Sequence, residues 1–84
     1  MNTKHRNTLI LIFSHPVPRN LAWSTIEGLL VAAGAKTVEG RGSRVRFELN
    51  GVVATFHRPH PDKEALPYHV RDARTFLTQA GVTP

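Results

Sequence analysis

The sequence predicts an α+β domain in which a three-stranded antiparallel sheet carries helices on one face. The hydrophobic spacing changes from the 3.6-residue period of a helix to the two-residue period of a strand after Gly34, and it returns to the helical period near Pro67. The pair Asn50-Gly51, which is typical of a two-residue hairpin turn, separates two alternating segments. The expected order is helix, helix, three strands, helix, and the sheet face opposite the helices is expected to be open.

The size and composition of the chain limit what it can be. Its 84 residues suffice for one domain with a single small core. The absence of cysteine excludes a disulfide framework and a thiolate zinc site. The longest apolar run, at positions 9–13, is too short to span a bilayer or to form the core of a signal peptide. We therefore expect a cytoplasmic protein with no membrane partner.

Residues 3–14 are predicted to form the first helix, with Thr3 as its cap. Apolar side chains in this segment recur at helical spacing. The run at positions 9–13 also suits a buried strand, so periodicity alone leaves both structures open. In either case Pro16 and Pro18 end the element, because proline lacks the N–H group that a helix or a strand ladder needs.

Residues 24–33 are predicted to form a second helix with a capping box at its start. Ser24 and Glu27 stand three apart, so that each side chain can accept a hydrogen bond from a free amide of the first turn. Apolar residues at helical spacing form one buried stripe. Gly34 follows, where a helix often ends in a left-handed residue. We expect Trp23, just before this helix, to pack in the core.

Three strands and a final helix are predicted in the second half of the chain. The strands are expected at residues 36–39, 43–49 and 52–57. The last helix is predicted to begin at Pro67 or the residue after it, because proline suits the first turn, and to end at Gly81. His69 falls in the first turn of this helix, where we expect it to lie on the surface.

The hairpin turn also predicts which residues pair across the two longer strands. A two-residue turn pairs the residues that flank it and each successive pair beyond them. On the open face this register places Arg44 opposite His57 and Arg46 opposite Thr55. Directly opposed side chains begin about 5 Å apart at Cβ. The sequence therefore predicts that Arg44, Arg46 and His57 are neighbours on the open face.

The charge distribution points to a polyanionic partner. The chain has 11 lysine and arginine residues against 6 aspartate and glutamate residues, a formal net charge of +5. Most of the basic residues are arginine, whose planar fork matches phosphate geometry. We expect the phosphate-binding surface to comprise Arg41, Arg44, Arg46 and Arg58. The alternative interpretation is a basic, well-solvated small protein.

Arginine and histidine on one face suit cleavage of RNA by its own 2′-hydroxyl. That reaction needs a base for the hydroxyl proton, a cation for the charge at phosphorus and an acid for the leaving 5′-oxygen. Histidine titrates near neutrality, and arginine keeps its charge. His57 is the first candidate for the acid or base and His60 the second. The alternative is that both are ordinary solvated side chains. We expect no metal or other cofactor, because the two histidines lack a carboxylate cluster.

Four sequence features follow one another in a fixed order along the chain. They are a glycine after a helix at Gly34, the pair Gly42-Ser43 before the second strand, a His-Pro loop at His60-Pro61 and a closing helix over residues 70–81. In these features, together with the helix over residues 23–34, the chain resembles the HicA toxins of bacterial toxin–antitoxin pairs. The likeness extends over most of the chain.

The resemblance implies a fold similar to the double-stranded-RNA-binding domain, with a helix, three strands and a helix. It also implies that the protein cleaves mRNA without a metal and is inhibited by a HicB-type antitoxin. Residues 20–84 then form the core that is similar to the family. Residues 1–19 form an extension that consists of the extra helix and a linker.

The chain departs from the family pattern at the catalytic position. HicA toxins carry a catalytic histidine directly after the Gly-Ser turn, and here that residue is Arg44. The predicted register offers His57, opposite Arg44, as a replacement on the neighbouring strand. We therefore expect an endoribonuclease whose candidate catalytic residues are His57, His60 and Arg44. The alternatives are a non-catalytic RNA-binding module and an interaction domain whose basic face docks an acidic antitoxin.

Overall fold

The computed structural model describes residues 1–60 and 63–84 and confirms the α+β fold. Its elements are α1 (Thr3–Ile12), α2 (Trp23–Ala32), β1 (Lys36–Glu39), β2 (Arg44–Leu49), β3 (Val52–His57) and α3 (Pro67–Gln79). The proline of the His60-Pro61 motif lies outside the described residues. Within the described ranges, no helix is both long enough and apolar enough to cross a membrane.

The three strands form one antiparallel sheet in the order β1-β2-β3. The hairpin of β2 and β3 has the predicted register, in which Arg44 lies opposite His57. Asn50 and Gly51 have φ angles of 51° and 82°. Positive φ at both central residues is the turn geometry whose twist matches that of two paired strands. The register prediction is therefore confirmed, because the chemistry of the turn decides which residues pair.

The core lies between the sheet and the helices that cover one of its faces. The inward side chains of the hairpin include Val45, Phe47 and Phe56, and each is at most 2% exposed. The ring centroid of Trp23 lies 5.3 Å from that of Phe56 and 6.5 Å from that of Phe47. The predicted packing role of Trp23 is confirmed. The outward side chains of the hairpin lie on the uncovered face of the sheet.

The amino-terminal helix α1 is joined to the core by apolar contacts and by one arginine. Leu9 and Ile12 are 5% and 0% exposed and belong to the same buried cluster as the rest of the core. Arg74 of α3 donates hydrogen bonds to the carbonyl oxygens of Ile12 at 2.9 Å and Ser14 at 3.0 Å. A cation thus meets the carbonyl end of α1, where the helix dipole favours positive charge.

The capping predictions for α1 and α2 are wrong. Asn2 rather than Thr3 caps α1, and its side-chain oxygen accepts a hydrogen bond at 2.8 Å from the backbone N–H three residues on. Helix α2 begins one residue before the predicted start, so Ser24 lies inside the first turn. Within the part of the chain that the structure describes, no side chain caps the helix. The Glu27 carboxylate is bonded to side chains near the candidate site instead.

The carboxyl ends of α2 and α3 confirm the predicted glycine stops. Gly34 and Gly81 have φ angles of 109° and 82°, in the left-handed region. After α3, the N–H of Val82 donates to the carbonyl oxygen of Leu77 at 2.9 Å, as in a Schellman motif. The two helices therefore end where the sequence places a residue that adopts positive φ without steric cost.

His69 is buried, and the expectation that it lies on the surface is wrong. Its exposed fraction is 1%. Nδ1 accepts a hydrogen bond from the backbone N–H of Leu66 at 2.9 Å, so the ring proton is on Nε2, which donates to the carbonyl oxygen of His57 at 2.8 Å. Both ring nitrogens of a buried imidazole need such partners. His69 therefore ties the start of α3 to the end of β3.

Candidate nucleic-acid interface

The open face of the sheet contains a groove of about 420 Å³ where β2 begins and β3 ends. Its polar lining includes Arg44, Arg46, Thr55 and His57, and all four residues are exposed. Alternation places these side chains outward, because their neighbours along each strand point into the core. The structure thus brings together the three residues that the sequence predicted as neighbours.

Gly40 allows the turn after β1 to lie close to Arg44. The N–H of Gly40 donates to the carbonyl oxygen of Arg44 at 2.9 Å. A Cβ atom at Gly40 would lie 3.0 Å from that oxygen and 3.1 Å from the Cβ of Arg44. Side chains rarely approach backbone so closely, so a larger residue here would displace Arg44 from its place in the groove.

The cations of the groove are accessible to a charged partner. Arg46 pairs with Glu48 at 3.0 Å, and their side chains are 49% and 35% exposed. Such a pair contributes less than about 1 kcal/mol, so a phosphate can compete with the carboxylate. Arg41 is exposed in the turn before β2. Arg44 and Arg46 provide positive charge on the sheet face opposite the described helices.

Arg58 lies between two carboxylates. Its Nε and Nη2 donate to Glu27 at 3.0 and 2.7 Å, and its Nη1 and Nη2 donate to Glu39 at 2.6 and 2.9 Å. Glu27 also accepts a hydrogen bond from Nε1 of Trp23 at 2.8 Å. Hydrogen bonds to Glu39 and Glu27 raise the pKa of Arg58, and the bond from Arg58 lowers the pKa of Glu39. We call Arg58, Glu27 and Glu39 the clamp.

The two candidate histidines lie in different places. His57 lines the groove with Arg44, whereas His60 borders a separate cavity of about 530 Å³ together with Ser24 and Lys63. The structure therefore does not bring His60 into the groove. Among residues 1–60 and 63–84, no group of three or more histidine, cysteine, aspartate and glutamate side chains is placed to hold a metal ion.

The ion pairs of Arg58 with Glu27 and Glu39 were not predicted from the sequence. The sequence pattern places Glu27 in a helix cap and gives Glu39 no particular role. Their partner Arg58 lies 31 and 19 residues away along the chain. No local pattern links residues at such separations. Arginine forms strong bidentate hydrogen bonds with carboxylates, but the sequence alone does not indicate which acidic residues meet Arg58.

Replacing Glu39 by glutamine tests the ionised state of the clamp. Because the pKa of Glu39 is lower in the folded than in the unfolded chain, its stabilising effect is complete above the unfolded pKa and is lost as the pH falls through the folded pKa. We therefore expect Glu39→Gln to lower the Tm at pH values near neutrality and to match the wild-type Tm in strong acid. Thermal melts across this pH range measure the difference.

The variant Glu64→Gln, which removes a carboxylate outside the clamp, is the control for this experiment. It is expected to lack the pH-dependent Tm difference of Glu39→Gln. A Tm difference for Glu39→Gln that is as large in strong acid as at neutral pH would contradict the role of the ionised carboxylate.

The described fold and groove define a small domain similar to the double-stranded-RNA-binding domain, with a basic face opposite its helices. A family model described as the HicA toxin of bacterial toxin–antitoxin systems matches residues 23–82. Since the match covers well over half of the chain, this protein belongs to the HicA toxin family. Comparisons with curated proteins and with solved structures gave no match.

Family membership confirms the resemblance inferred from the sequence. The chain is the toxin of a toxin–antitoxin pair, and a cognate antitoxin is implied as its partner. Helix α1 precedes the matched residues. The groove lies within the matched part of the chain.

Proposed function

We propose that this toxin is an endoribonuclease that cleaves mRNA through the 2′-hydroxyl of the substrate. The observation that supports the proposal most strongly is the pairing of Arg44 with His57 on an open sheet face. Opposed side chains begin about 5 Å apart at Cβ, so that one phosphodiester can reach both. His57 is the proton-transfer group in this proposal, and Arg44 and Arg46 bind the phosphate.

The reaction proposed for the groove is an in-line transfer at phosphorus. His57 accepts the proton of the 2′-hydroxyl, the 2′-oxygen bonds to phosphorus and the bond to the 5′-oxygen breaks. The 5′-oxygen leaves on the side of phosphorus opposite the attacking oxygen and takes its proton from water, which reaches the open groove. The protonated His57 returns its proton to the solvent. Arg44 stabilises the negative charge that develops on the phosphate oxygens, because its own charge is permanent and its donors are fixed in geometry.

The remaining sequence candidates have secondary places in this proposal. Arg41 extends the basic surface beyond the groove. His60 is the second candidate for proton transfer, although its position beside the other cavity favours His57. Arg58 lines the other cavity together with His60, and its charge is shared between two carboxylates. We propose a HicB-type protein as the cognate antitoxin.

Incubation of the purified toxin with a defined mRNA in EDTA tests this function. We expect cleavage that leaves 2′,3′-cyclic phosphate and 5′-hydroxyl ends, because the proposed chemistry uses only side chains of the groove and the substrate's own hydroxyl. End-group analysis of the products measures the outcome. Intact RNA that nevertheless binds the toxin would favour the RNA-binding module.

The salt dependence of RNA binding distinguishes an RNA-binding face from the remaining alternative, an interaction domain that docks the antitoxin. Arg44→Ala and Arg46→Ala should each lower the slope of log affinity against log salt by about 0.7 on single-stranded RNA, the value expected for one lost phosphate contact. Unchanged slopes in both variants would show that RNA does not bind this face. Loss of antitoxin binding in the same variants would then favour an interaction domain.

A further inference from the structure

Arg58 follows His57 directly at the end of β3, and its guanidinium is engaged by the protein itself. Four hydrogen bonds of 2.6–3.0 Å join it to Glu27 on α2 and to Glu39 at the end of β1. The clamp therefore connects the helix layer with both edges of the sheet. The strand end that it holds is the one that carries His57.

The backbone around His57 is held on both sides. Its carbonyl oxygen accepts the hydrogen bond from Nε2 of His69 at 2.8 Å, and the next N–H, that of Arg58, donates to the carbonyl oxygen of Ser43 at 2.8 Å. Strand β3 lies at an edge of the sheet. The ends of edge strands open locally more easily than central strands, unless other contacts hold them. These contacts and the clamp supply that support.

The charge of the clamp does not favour a phosphate. Two carboxylates and one guanidinium carry a formal charge of −1. A phosphate that approached Arg58 would have to displace one carboxylate, and the negative charge of the other carboxylate would repel it. The side chain of Arg58 is 28% exposed and pairs with two carboxylates, whereas that of Arg46 is 49% exposed and pairs with one. Arg58 is therefore suited to holding structure rather than RNA.

We propose that Arg58 is a positioning residue, which holds the end of β3 to Glu27 and Glu39 and so sets the place of His57 relative to Arg44 without contacting RNA. The inference rests on the proposed function, because it assigns to Arg58 a part in a reaction that takes place in the groove. A bidentate fork on each carboxylate is a geometry that arginine forms and that a rotating ammonium group does not.

Two substitutions separate positioning from phosphate binding. Under the proposal, Arg58→Gln and Glu39→Gln both loosen His57 and lower kcat by up to about 10²-fold, the loss that a displacement near 1 Å can cause. Glu39 also lines the groove, so Glu39→Gln removes a negative charge there and lowers KM. The salt slope of RNA affinity stays at its wild-type value in both variants, because neither loses a phosphate contact. If Arg58 instead binds phosphate, Arg58→Gln lowers the slope by about 0.7, as Arg44→Ala does. Glu39→Gln, which removes one of the two carboxylates that hold Arg58, then raises the slope.

A spectroscopic measurement on the RNA-free proteins provides a readout that needs no cleavage. Two-bond ¹H–¹⁵N spectra are expected to show the imidazole signals of His57 shifted or broadened in both variants, whereas those of His5 on α1 stay unchanged. Glu39→Gln removes a carboxylate that is 65% exposed and leaves the pair between Arg58 and Glu27 in place. If Arg58→Gln does not fold, Glu39→Gln alone therefore decides whether Arg58 positions His57 or binds phosphate.

Lower kcat with an unchanged salt slope and altered His57 signals would support the proposal. Wild-type kcat and wild-type His57 signals in both variants would overturn it, as would opposite changes of the salt slope in the two variants. If His57→Ala cleaves RNA as fast as the wild type, the proposed function fails instead. The His57 spectra then still decide whether the clamp sets the place of that side chain.

Discussion

His57→Ala is expected to lower the rate of RNA cleavage by about 10²–10⁴-fold, because it removes the group that moves the 2′-hydroxyl proton in the proposed reaction. Arg44 is a poor replacement, since its guanidinium stays protonated at neutral pH. The alanine keeps the carbonyl group that His69 bonds, and the lost imidazole is exposed. The free energy of unfolding should therefore change by well under about 1 kcal/mol. Single-turnover cleavage, RNA affinity and thermal melting measure the three quantities.

His60→Ala is the matched control, because its side chain lies beside the second cavity and outside the groove. We expect it to cleave RNA at close to the wild-type rate. A full rate in His57→Ala together with a large loss in His60→Ala would move the proton-transfer role to His60. Full rates in both variants would exclude a histidine mechanism on this face and favour the RNA-binding module.

His69→Leu is expected to have the largest effect on stability among the histidine substitutions. Leucine leaves the N–H of Leu66 and the carbonyl group of His57 without their ring partners. Each unsatisfied group costs about 1–3 kcal/mol when it is shielded from water. The two groups together cost about 2–6 kcal/mol, which corresponds to a Tm lower by about 10–50 °C in a domain of this size. Thermal and denaturant unfolding of the purified variant measure the loss.

His69→Gln is the companion variant, since its amide offers one acceptor and one donor in place of the two ring nitrogens. It is expected to recover part of the stability that His69→Leu loses. If His69→Leu unfolds at the wild-type Tm, the two hydrogen bonds contribute nothing to stability. The connection between α3 and β3 would then depend on apolar packing.

The hairpin was predictable in detail because its signals are local. Asn50 and Gly51 accept positive φ, and the alternation on either side of them matches the pleat of a strand. The pairing of Arg44 with His57 follows from these two features without knowledge of any distant residue. For the same reason the glycine stops of α2 and α3 were correct, since the bonds that end a helix form within a few residues.

The starts of the helices and the residues that surround the groove were less predictable. Both depend on which distant side chains the folded chain brings close enough to form hydrogen bonds. Ser24 and Glu27 match a capping box, yet Glu27 instead receives hydrogen bonds from Arg58 and Trp23. A carboxylate with a distant arginine available gains two charge-assisted bonds, more than one bond to a backbone amide provides. The position of His69 in the first turn of α3 likewise suggested exposure, but the end of β3 lies against that turn.

The sequence by itself determined the α+β fold, the register of the hairpin, the basic open face and the membership of the HicA toxin family. The fold and the register depend on periodicity and turn residues that are read within a short stretch of chain, and the family membership depends on motifs in a fixed order along residues 23–82. Only the tertiary structure decided that His57 lies in the groove, whereas His60 borders a separate cavity. It likewise decided that Arg58 bridges Glu27 and Glu39 and that His69 is buried. The physical reason is that hydrogen bonds and ion pairs between distant residues depend on where the packing of the elements places their side chains, and no local pattern encodes that placement.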